Sequence, residues 1–272
     1  MNTNLKVGVI GAGNMSTAIV SGLLKSGLVS KDRLAVSDKD EKKLASAKES
    51  FGINTASSNA DLVNDSDIVI IAVKPNVCQA ALSGVSGVNN VQSKLFISIA
   101  AGVTISQLKE YIGLDAKVIR TMPNTPALVG EGMTVLSSAE PCTDADMDIA
   151  KEIFNAVGKT AVMPESLMCA TVALNGSSPA YVYMMIEAMA DAAVKSGIPR
   201  QTAYDLAAQS VLGSAKMVLE TGEHPGKLKD MVCSPAGTTI AAVEVLEREG
   251  FRSAIMEAMS ACTDKSYELA KK

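Results

Sequence analysis

Leu5-Lys6-Val7-Gly8-Val9-Ile10-Gly11-Ala12-Gly13-Asn14-Met15-Ser16 is the stretch that decides the fold. The apolar run ending at Ile10 predicts a buried strand. Residues 15–26 predict a helix, with Ile19, Val20, Leu23 and Leu24 on one side. Between the two, Gly11 and Gly13 let the backbone turn tightly and approach a pyrophosphate. The helix start then offers amide donors and the positive end of its dipole. Ser16 fills the third position of the G-x-G-x-x-G pattern and is small enough for close helix–strand packing. The pattern alone is weak. Strand, turn and helix in this order make it a dinucleotide site.

Working outward, strand-like and helix-like segments keep alternating. Further strands are predicted at 34–37, 53–55, 68–73, 95–99, 118–120, 133–136 and 160–163, and helices at 41–50, 104–111 and 144–157. Such alternation argues for a parallel sheet covered by helices on both faces. After Pro164 no convincing strand follows. Segments 166–174, 178–195, 201–220, 238–249 and 252–269 read as helices, with Ser178 as N-cap and Pro179 in the first turn of the second. The expected fold class is therefore α/β. A Rossmann-like dinucleotide-binding domain spans 1–163, and an all-helical domain for substrate binding and dimerisation spans 164–272.

Composition removes other classes. Hydrophobic residues make up 47% of the 272 and charged residues 20%, which is ordinary for a globular chain. The net charge is -4 and neither half is basic, so nucleic acid is not an expected partner. Apolar runs stay strand-sized, well short of the ~20 residues of a membrane span. The chain runs from Met1 straight into its first strand, leaving no room for a signal peptide. Five cysteines, an odd number without C-x-x-C spacing, argue against disulfides and zinc and for a reducing cytoplasm. The single His224, next to Pro225, reads as structural, and no metal site is expected. Nine of the fourteen methionines lie at or after Met163, so the helical half carries flexible apolar surface suited to core filling or to a helix-on-helix dimer interface.

Other strand ends carry the remaining cofactor candidates, because ligands sit outside the carboxyl ends of such strands. The second strand ends in Ser37-Asp38-Lys39. Asp38 would take ribose hydroxyls and repel a 2′-phosphate, which would hold down any preference for NADPH. Ser37 and Lys39 could instead bind that phosphate. Ala72-Val73-Lys74-Pro75 and Ala100-Ala101-Gly102 end two later strands, where small residues would let a nicotinamide ring lie against the backbone.

These residues resemble pyrroline-5-carboxylate reductase over essentially the whole chain. Ile10-Gly11-Ala12-Gly13-Asn14-Met15 is similar to that family's cofactor loop, and Ala72-Val73-Lys74-Pro75 and Ala100-Ala101 to its further cofactor contacts. Arg120-Thr121-Met122-Pro123-Asn124-Thr125-Pro126 looks like its central motif. Asn175-Gly176-Ser177-Ser178-Pro179-Ala180-Tyr181 resembles the start of its long helix. The most specific match is Leu228 to Val243, which contains Cys233-Ser234-Pro235-Ala236-Gly237-Thr238-Thr239. The resemblance implies reduction of 1-pyrroline-5-carboxylate to L-proline, with NADP as cofactor and NAD possible. It places Ser37, Lys39 and Asn59 at the adenosine end, Lys74 and Ala101 at the nicotinamide end, and Glu165, Thr238 and Thr239 on substrate. It also implies a homodimer, or a larger assembly of dimers. Ala236 stands where glycine is common, and Met231 where some members have a polar cofactor contact.

The chemistry of the residues agrees. The substrate would be a cyclic imine bearing a carboxylate. Ser234, Ala236 and Gly237 precede a predicted helix and Thr238 and Thr239 open it, so its free amides and these hydroxyls make an anion site. Thr239 is the candidate catalytic residue, donating a proton to the nitrogen or orienting an already protonated iminium. Two alternatives stand beside this: a related dehydrogenase of a small carboxylate substrate, and a non-catalytic dinucleotide-sensing protein. The first usually carries a lysine on the helix after the domain boundary, where this chain has Thr171-Val172-Ala173-Leu174-Asn175. The second would have lost the 234–239 loop.

Overall fold

In the computed structural model, residues 5–270 are described. The chain divides into two compact units, one holding residues up to Ser177 with those from Cys262 on, the other Ser178–Ala261.

In the first unit, elements follow one another as β1 (Val7–Ile10), α1 (Asn14–Lys25), β2 (Leu34–Ser37), α2 (Glu41–Phe51), β3 (Asn54–Thr55), α3 (Asn59–Asn64), β4 (Ile68–Ile71), α4 (Cys78–Ala81), β5 (Leu95–Ser98), α5 (Ile105–Ile112), β6 (Lys117–Met122), β7 (Gly132–Ser138), α6 (Asp144–Asn155), β8 (Gly158–Val162) and α7 (Met168–Thr171). Among the described residues the strands form one sheet in the order β3-β2-β1-β4-β5-β6-β7-β8. β1, β4 and β5 are buried along their whole length, which is why they read as unbroken apolar runs. One face packs α1 and α6 on the sheet through Ile19, Leu23 and Phe154. The other packs α3 and α5 through Leu62, Leu108 and Ile112, with Phe96 and Leu82 between. Each such side chain contributes roughly 1.5–3 kcal/mol on burial.

The sheet departs from the all-parallel expectation at one place. β6 and β7 are antiparallel, paired Met122 with Val135 and Ile119 with Ser138. A parallel return needs a crossover of a dozen or more residues, and the link 123–131 is a short turn. α6 then provides the crossover that makes β8 parallel to β7.

Local chemistry fixes the helix starts. Asp40 caps α2 and Ser58 caps α3. Thr104 with Gln107, and Thr143 with Asp146, form capping boxes on α5 and α6. The Thr143 bonds and Lys117, 3.1 Å away, hold Asp146 below the usual carboxylate range against the opposing effect of burial.

The second unit holds α8 (Ser178–Lys195), α9 (Arg200–Thr221), α10 (Pro225–Val232), α11 (Thr238–Arg248) and the first part of α12 (Phe251–Ala270). His224 caps α10 by accepting a hydrogen bond from the Gly226 amide through Nδ1, at 3.0 Å, so this lone histidine does structural work. Among the described residues of this unit only Ala190, Ala203 and Ala207 are buried. Met184, Leu206, Leu212, Leu219 and Met256 are all more than half exposed.

Two expectations about the junction change. The predicted helix 166–174 is helical throughout but changes type along its length, from a 3-10 turn at Glu165–Leu167 through α7 to a π-turn at Val172–Gly176. Ser178 is the first residue of α8 and not its cap, because the chain enters α8 directly from that π-turn. The compact unit also ends later than the change of pattern at 163. Residues 165–176 stay tied to the sheet: Glu165 pairs with Arg120 of β6, and the Asn175 amide donates to Met122 and Met133 carbonyls at 2.8 and 3.0 Å.

Candidate functional site: a nucleotide cleft and a helix-start loop

Strand order reverses between β1 and β4, because β2 and β3 lie to one side of β1 and β4 to the other. A crevice opens at the carboxyl ends of strands at such a point. Here the cleft has a volume of about 550 Å³ and is lined by Ile10, Gly11 and Gly13 from the first turn, Ser37, Asp38 and Lys39 after β2, and Ala72, Val73 and Lys74 after β4. Its far wall is Asn59, Val77, Ala80 and Ala81, and Lys43 of α2 reaches it as well.

The floor is built for close approach. Gly11 has φ +104, a conformation that L side chains rarely adopt, and a Cβ there would lie 2.5 Å from the Ala72 carbonyl oxygen. Gly13 begins α1 in extended conformation with no side-chain cap bond, so the first amides of the helix are left for a ligand. Two bonds fasten this turn to the end of β2. The Gly11 amide donates to the Ser37 carbonyl at 2.7 Å, and the Ala12 amide donates to Asp38 Oδ2 at 2.8 Å. The other Asp38 oxygen accepts from the Asp40 amide at 2.9 Å.

Ser37 is buried, and its hydroxyl donates to Asn59 Oδ1 at 2.7 Å, while Asn59 Nδ2 donates to the Ala81 carbonyl at 2.8 Å. That chain ties β2, α3 and α4 together and shapes the wall. Beside it, burial pushes the Cys78 thiol up to about 11, so it stays protonated and packs as an apolar group. Of the other expected cofactor residues, Asn14, Lys74, Pro75 and Ala101 are exposed, Ala12 and Met15 are half-buried, and Ala100 is buried under the turn after β5. Lys43, Val77, Ala80 and Ala81 were not expected. Lys43 follows Lys39 by four residues but lies on a charged helix that reads as solvated, and the alanines carry no chemical signal.

Glu165 stands just after Pro164, and its Oε1 accepts from the Ile105 amide at 2.8 Å and from Arg120 Nη1 at 3.0 Å. Arg120 is buried within β6. One oxygen of Glu165 therefore fastens this segment to the start of α5, leaving Oε2 for a ligand. Asn124 of the central motif donates to the Asn175 carbonyl at 3.0 Å and accepts from the Met133 amide at 2.8 Å. The Asn175 amide is held in the same network, which ties the π-turn to the ends of β6 and β7.

In the second unit, Ser234-Pro235-Ala236-Gly237 closes a tight turn in which the Gly237 amide donates to the Ser234 carbonyl at 3.0 Å. Proline at the second position and positive φ at the third make it type II, and Ala236 takes φ +54. A Cβ on Gly237 would meet the Ser234 hydroxyl oxygen at 2.3 Å and the Ser234 carbonyl oxygen at 3.0 Å, so a larger residue there would push the Ser234 side chain aside. Gly237 is the N-cap of α11 and provides no side-chain bond to it. The first amides of α11 are thus open, next to the exposed Thr238 and the half-buried Thr239. Among the described residues no cluster could hold a metal ion, and no helix is long and apolar enough to cross a membrane.

Two family models match this chain. "Pyrroline-5-carboxylate reductase dimerisation" covers residues 165–269, and "NADP oxidoreductase coenzyme F420-dependent" covers residues 6–102. The pyrroline-5-carboxylate reductase of Escherichia coli (strain K12) is 51% identical over 266 residues, covering 98% of each chain. Among solved structures, a pyrroline-5-carboxylate reductase from Coxiella burnetii superposes with a TM-score of 0.93 at 34% identity, over 100% of both chains. The Plasmodium falciparum pyrroline carboxylate reductase, solved with NADP bound, gives 0.88 at 33% identity over 98% of this chain and 99% of its own.

Proposed function

The chain belongs to the pyrroline-5-carboxylate reductase family, and we propose that it reduces 1-pyrroline-5-carboxylate to L-proline, the last step of proline biosynthesis, with NADPH as donor and NADH as a second donor. The observation that carries the substrate assignment is the open start of α11, a helix of eleven residues whose glycine cap leaves its first amides unused behind a hydroxyl-rich turn. A small carboxylate satisfies those amides and the dipole together.

When bound, the reduced nicotinamide supplies the hydride that the imine carbon accepts. The chain's own residues bind and orient. Gly11, Gly13 and the α1 amides hold the pyrophosphate, Ile10, Ala12, Asn14 and Met15 complete that turn, and Ser37, Asp38, Lys39 and Asn59 form the adenosine end. Ala72, Val73, Lys74, Pro75, Ala100 and Ala101 line the path towards the ring. Ser234, Ala236, Gly237 and Thr238 hold the substrate carboxylate. Thr239 Oγ1 accepts a hydrogen bond from the protonated ring nitrogen, which keeps its proton as the C=N bond becomes C–N. Glu165 Oε2 remains as an acceptor for the same type of donor. Fixing such a group in orientation lowers the entropic part of the barrier without any acid stronger than an iminium.

A boundary at 163/164 for this activity is supported by the dimerisation model that begins at residue 165, even though residues up to Ser177 pack with the sheet, and the working form is a homodimer or a larger assembly of dimers joined through the helical half. The supporting observation is an apolar helical surface far larger than its three buried alanines can account for. Five free cysteines suit a reducing compartment, the cytoplasm. The test is nicotinamide oxidation on addition of pyrroline-5-carboxylate, with product identified as proline. Absence of turnover with both NADPH and NADH would overturn the assignment.

A further inference from the structure

Acidic residues at the end of the second strand of such folds select the unphosphorylated cofactor by accepting ribose hydroxyls and repelling a 2′-phosphate. Asp38 occupies that position, yet both of its oxygens are already engaged by backbone amides, Oδ2 by Ala12 and Oδ1 by Asp40. The first of these amides belongs to the glycine turn itself. The carboxylate therefore faces the turn, and two amide dipoles offset part of its charge. Ser37 is likewise committed, since it is buried and its proton goes to Asn59.

The groups left at this end of the cleft are cations. Lys39 and Lys43 both line it and both are exposed. The Lys43 amide donates to the Asp40 carbonyl within the first turn of α2, but neither side-chain ammonium forms a hydrogen bond or ion pair among the described residues. Lys43 lies in the first turn of α2, whose cap is Asp40. A cation at a helix N-terminus opposes the dipole, and a phosphate placed beside it relieves that opposition. Among the charged side chains that line this end of the cleft, Lys39 and Lys43 outnumber Asp38 by one, while the nearby Asp40 carboxylate is taken up in capping α2 through the Lys42 amide, so a dianionic group meets net attraction at the lining.

We propose that Lys43, acting with Lys39, selects the 2′-phosphorylated cofactor, while Asp38 braces the glycine turn and takes no part in reading the ribose. This rests on the assignment of the cleft as the nucleotide site, and the experiment separates the two. Dissociation constants of NADPH, NADH, 2′,5′-ADP and 5′-AMP are measured by titration calorimetry for the full-length protein and for Lys43→Met, Lys43→Arg and Asp38→Asn. The expected result is that Lys43→Met weakens NADPH and 2′,5′-ADP about ten-fold, the scale of one charge pair at an exposed site. NADH and 5′-AMP should move by no more than about two-fold. Lys43→Arg should restore most of the loss. Asp38→Asn should weaken all four alike, because the turn loses its brace. A Lys43→Met variant that shifts all four ligands equally, or none, overturns the role of Lys43. An Asp38→Asn variant that tightens NADPH while loosening NADH overturns the brace and returns Asp38 to the ribose. A wild-type protein that binds none of the four overturns the nucleotide cleft itself, and this inference with it.

Discussion

Ala236 offers a direct test of the substrate loop, because its backbone conformation and its side chain disagree. The turn from Ser234 to Gly237 needs a positive φ at its third residue, and Ala236 supplies one at +54. A left-handed conformation costs a residue with a Cβ about 1–2 kcal/mol, and glycine almost nothing. Replacement by glycine returns freedom to the unfolded chain, which costs about 0.5–1 kcal/mol. The Ala236 methyl is exposed, so little packing is lost. The balance for Ala236→Gly is a gain of roughly 0.5–1 kcal/mol. For a chain of this length that raises Tm by about 1–4 °C. Ala236→Val puts a β-branched side chain into the same conformation and should lower stability by about 1–3 kcal/mol. Thermal melts of the three proteins at equal concentration give the comparison, with concentration fixed because a dimer's Tm depends on it. If Ala236→Gly melts at or below the wild type while Ala236→Val is unchanged, the turn does not hold a left-handed residue, and the substrate loop derived from it falls as well.

Three further outcomes are expected. Thr239→Val should lower kcat/KM for the imine by ~1.5–3 kcal/mol with cofactor affinity unchanged, whereas Thr238→Val should raise KM and the proline inhibition constant with less effect on kcat, as steady-state kinetics and nicotinamide fluorescence can establish. Glu165→Gln removes the charge facing the buried Arg120 and weakens the acceptor for the Ile105 amide; with Glu165 about a third exposed, denaturant unfolding should show a loss of about 1–2 kcal/mol, and a loss below about 0.3 kcal/mol would mean that the pair is solvated. Light scattering at micromolar concentration should give at least twice the chain mass of 28.2 kDa, and a fully active monomer would refute the helical interface.

The strands were legible because parallel strands buried on both faces must be apolar throughout, as Val7–Ile10 and Ile68–Ile71 are. Helix starts were legible where a cap residue announces them, as Thr104 and Thr143 do. What stayed hidden was geometry without a residue-type signal. The antiparallel turn from β6 to β7 depends on the length of a link, not on its composition. The π-turn at Val172–Gly176 breaks a helical pattern that the residues themselves satisfy. α10 was also missed, because Pro225 reads as a breaker until His224 is seen to cap it.

The cleft divides the same way. Glycines are readable because their role is steric: nothing else fits where a Cβ would stand 2.5 Å from the Ala72 carbonyl. Charged residues are readable only as charges, and their partners decide what the charge does. Asp38 read from its position is a ribose acceptor, but its two backbone amides turn it towards the loop. Glu165 read from its position is a substrate contact, but one of its oxygens is already spent on Ile105 and Arg120. Lys43 carries no positional signal at all and yet reaches the cleft. A carboxylate with two amide donors has given up acceptor sites and some of its field, whereas an unpaired ammonium keeps all of its field for a ligand. On the proposal made above, cofactor choice follows the charges left unpaired after the backbone has taken its share, and those can be counted only once the fold has brought α2 beside β2.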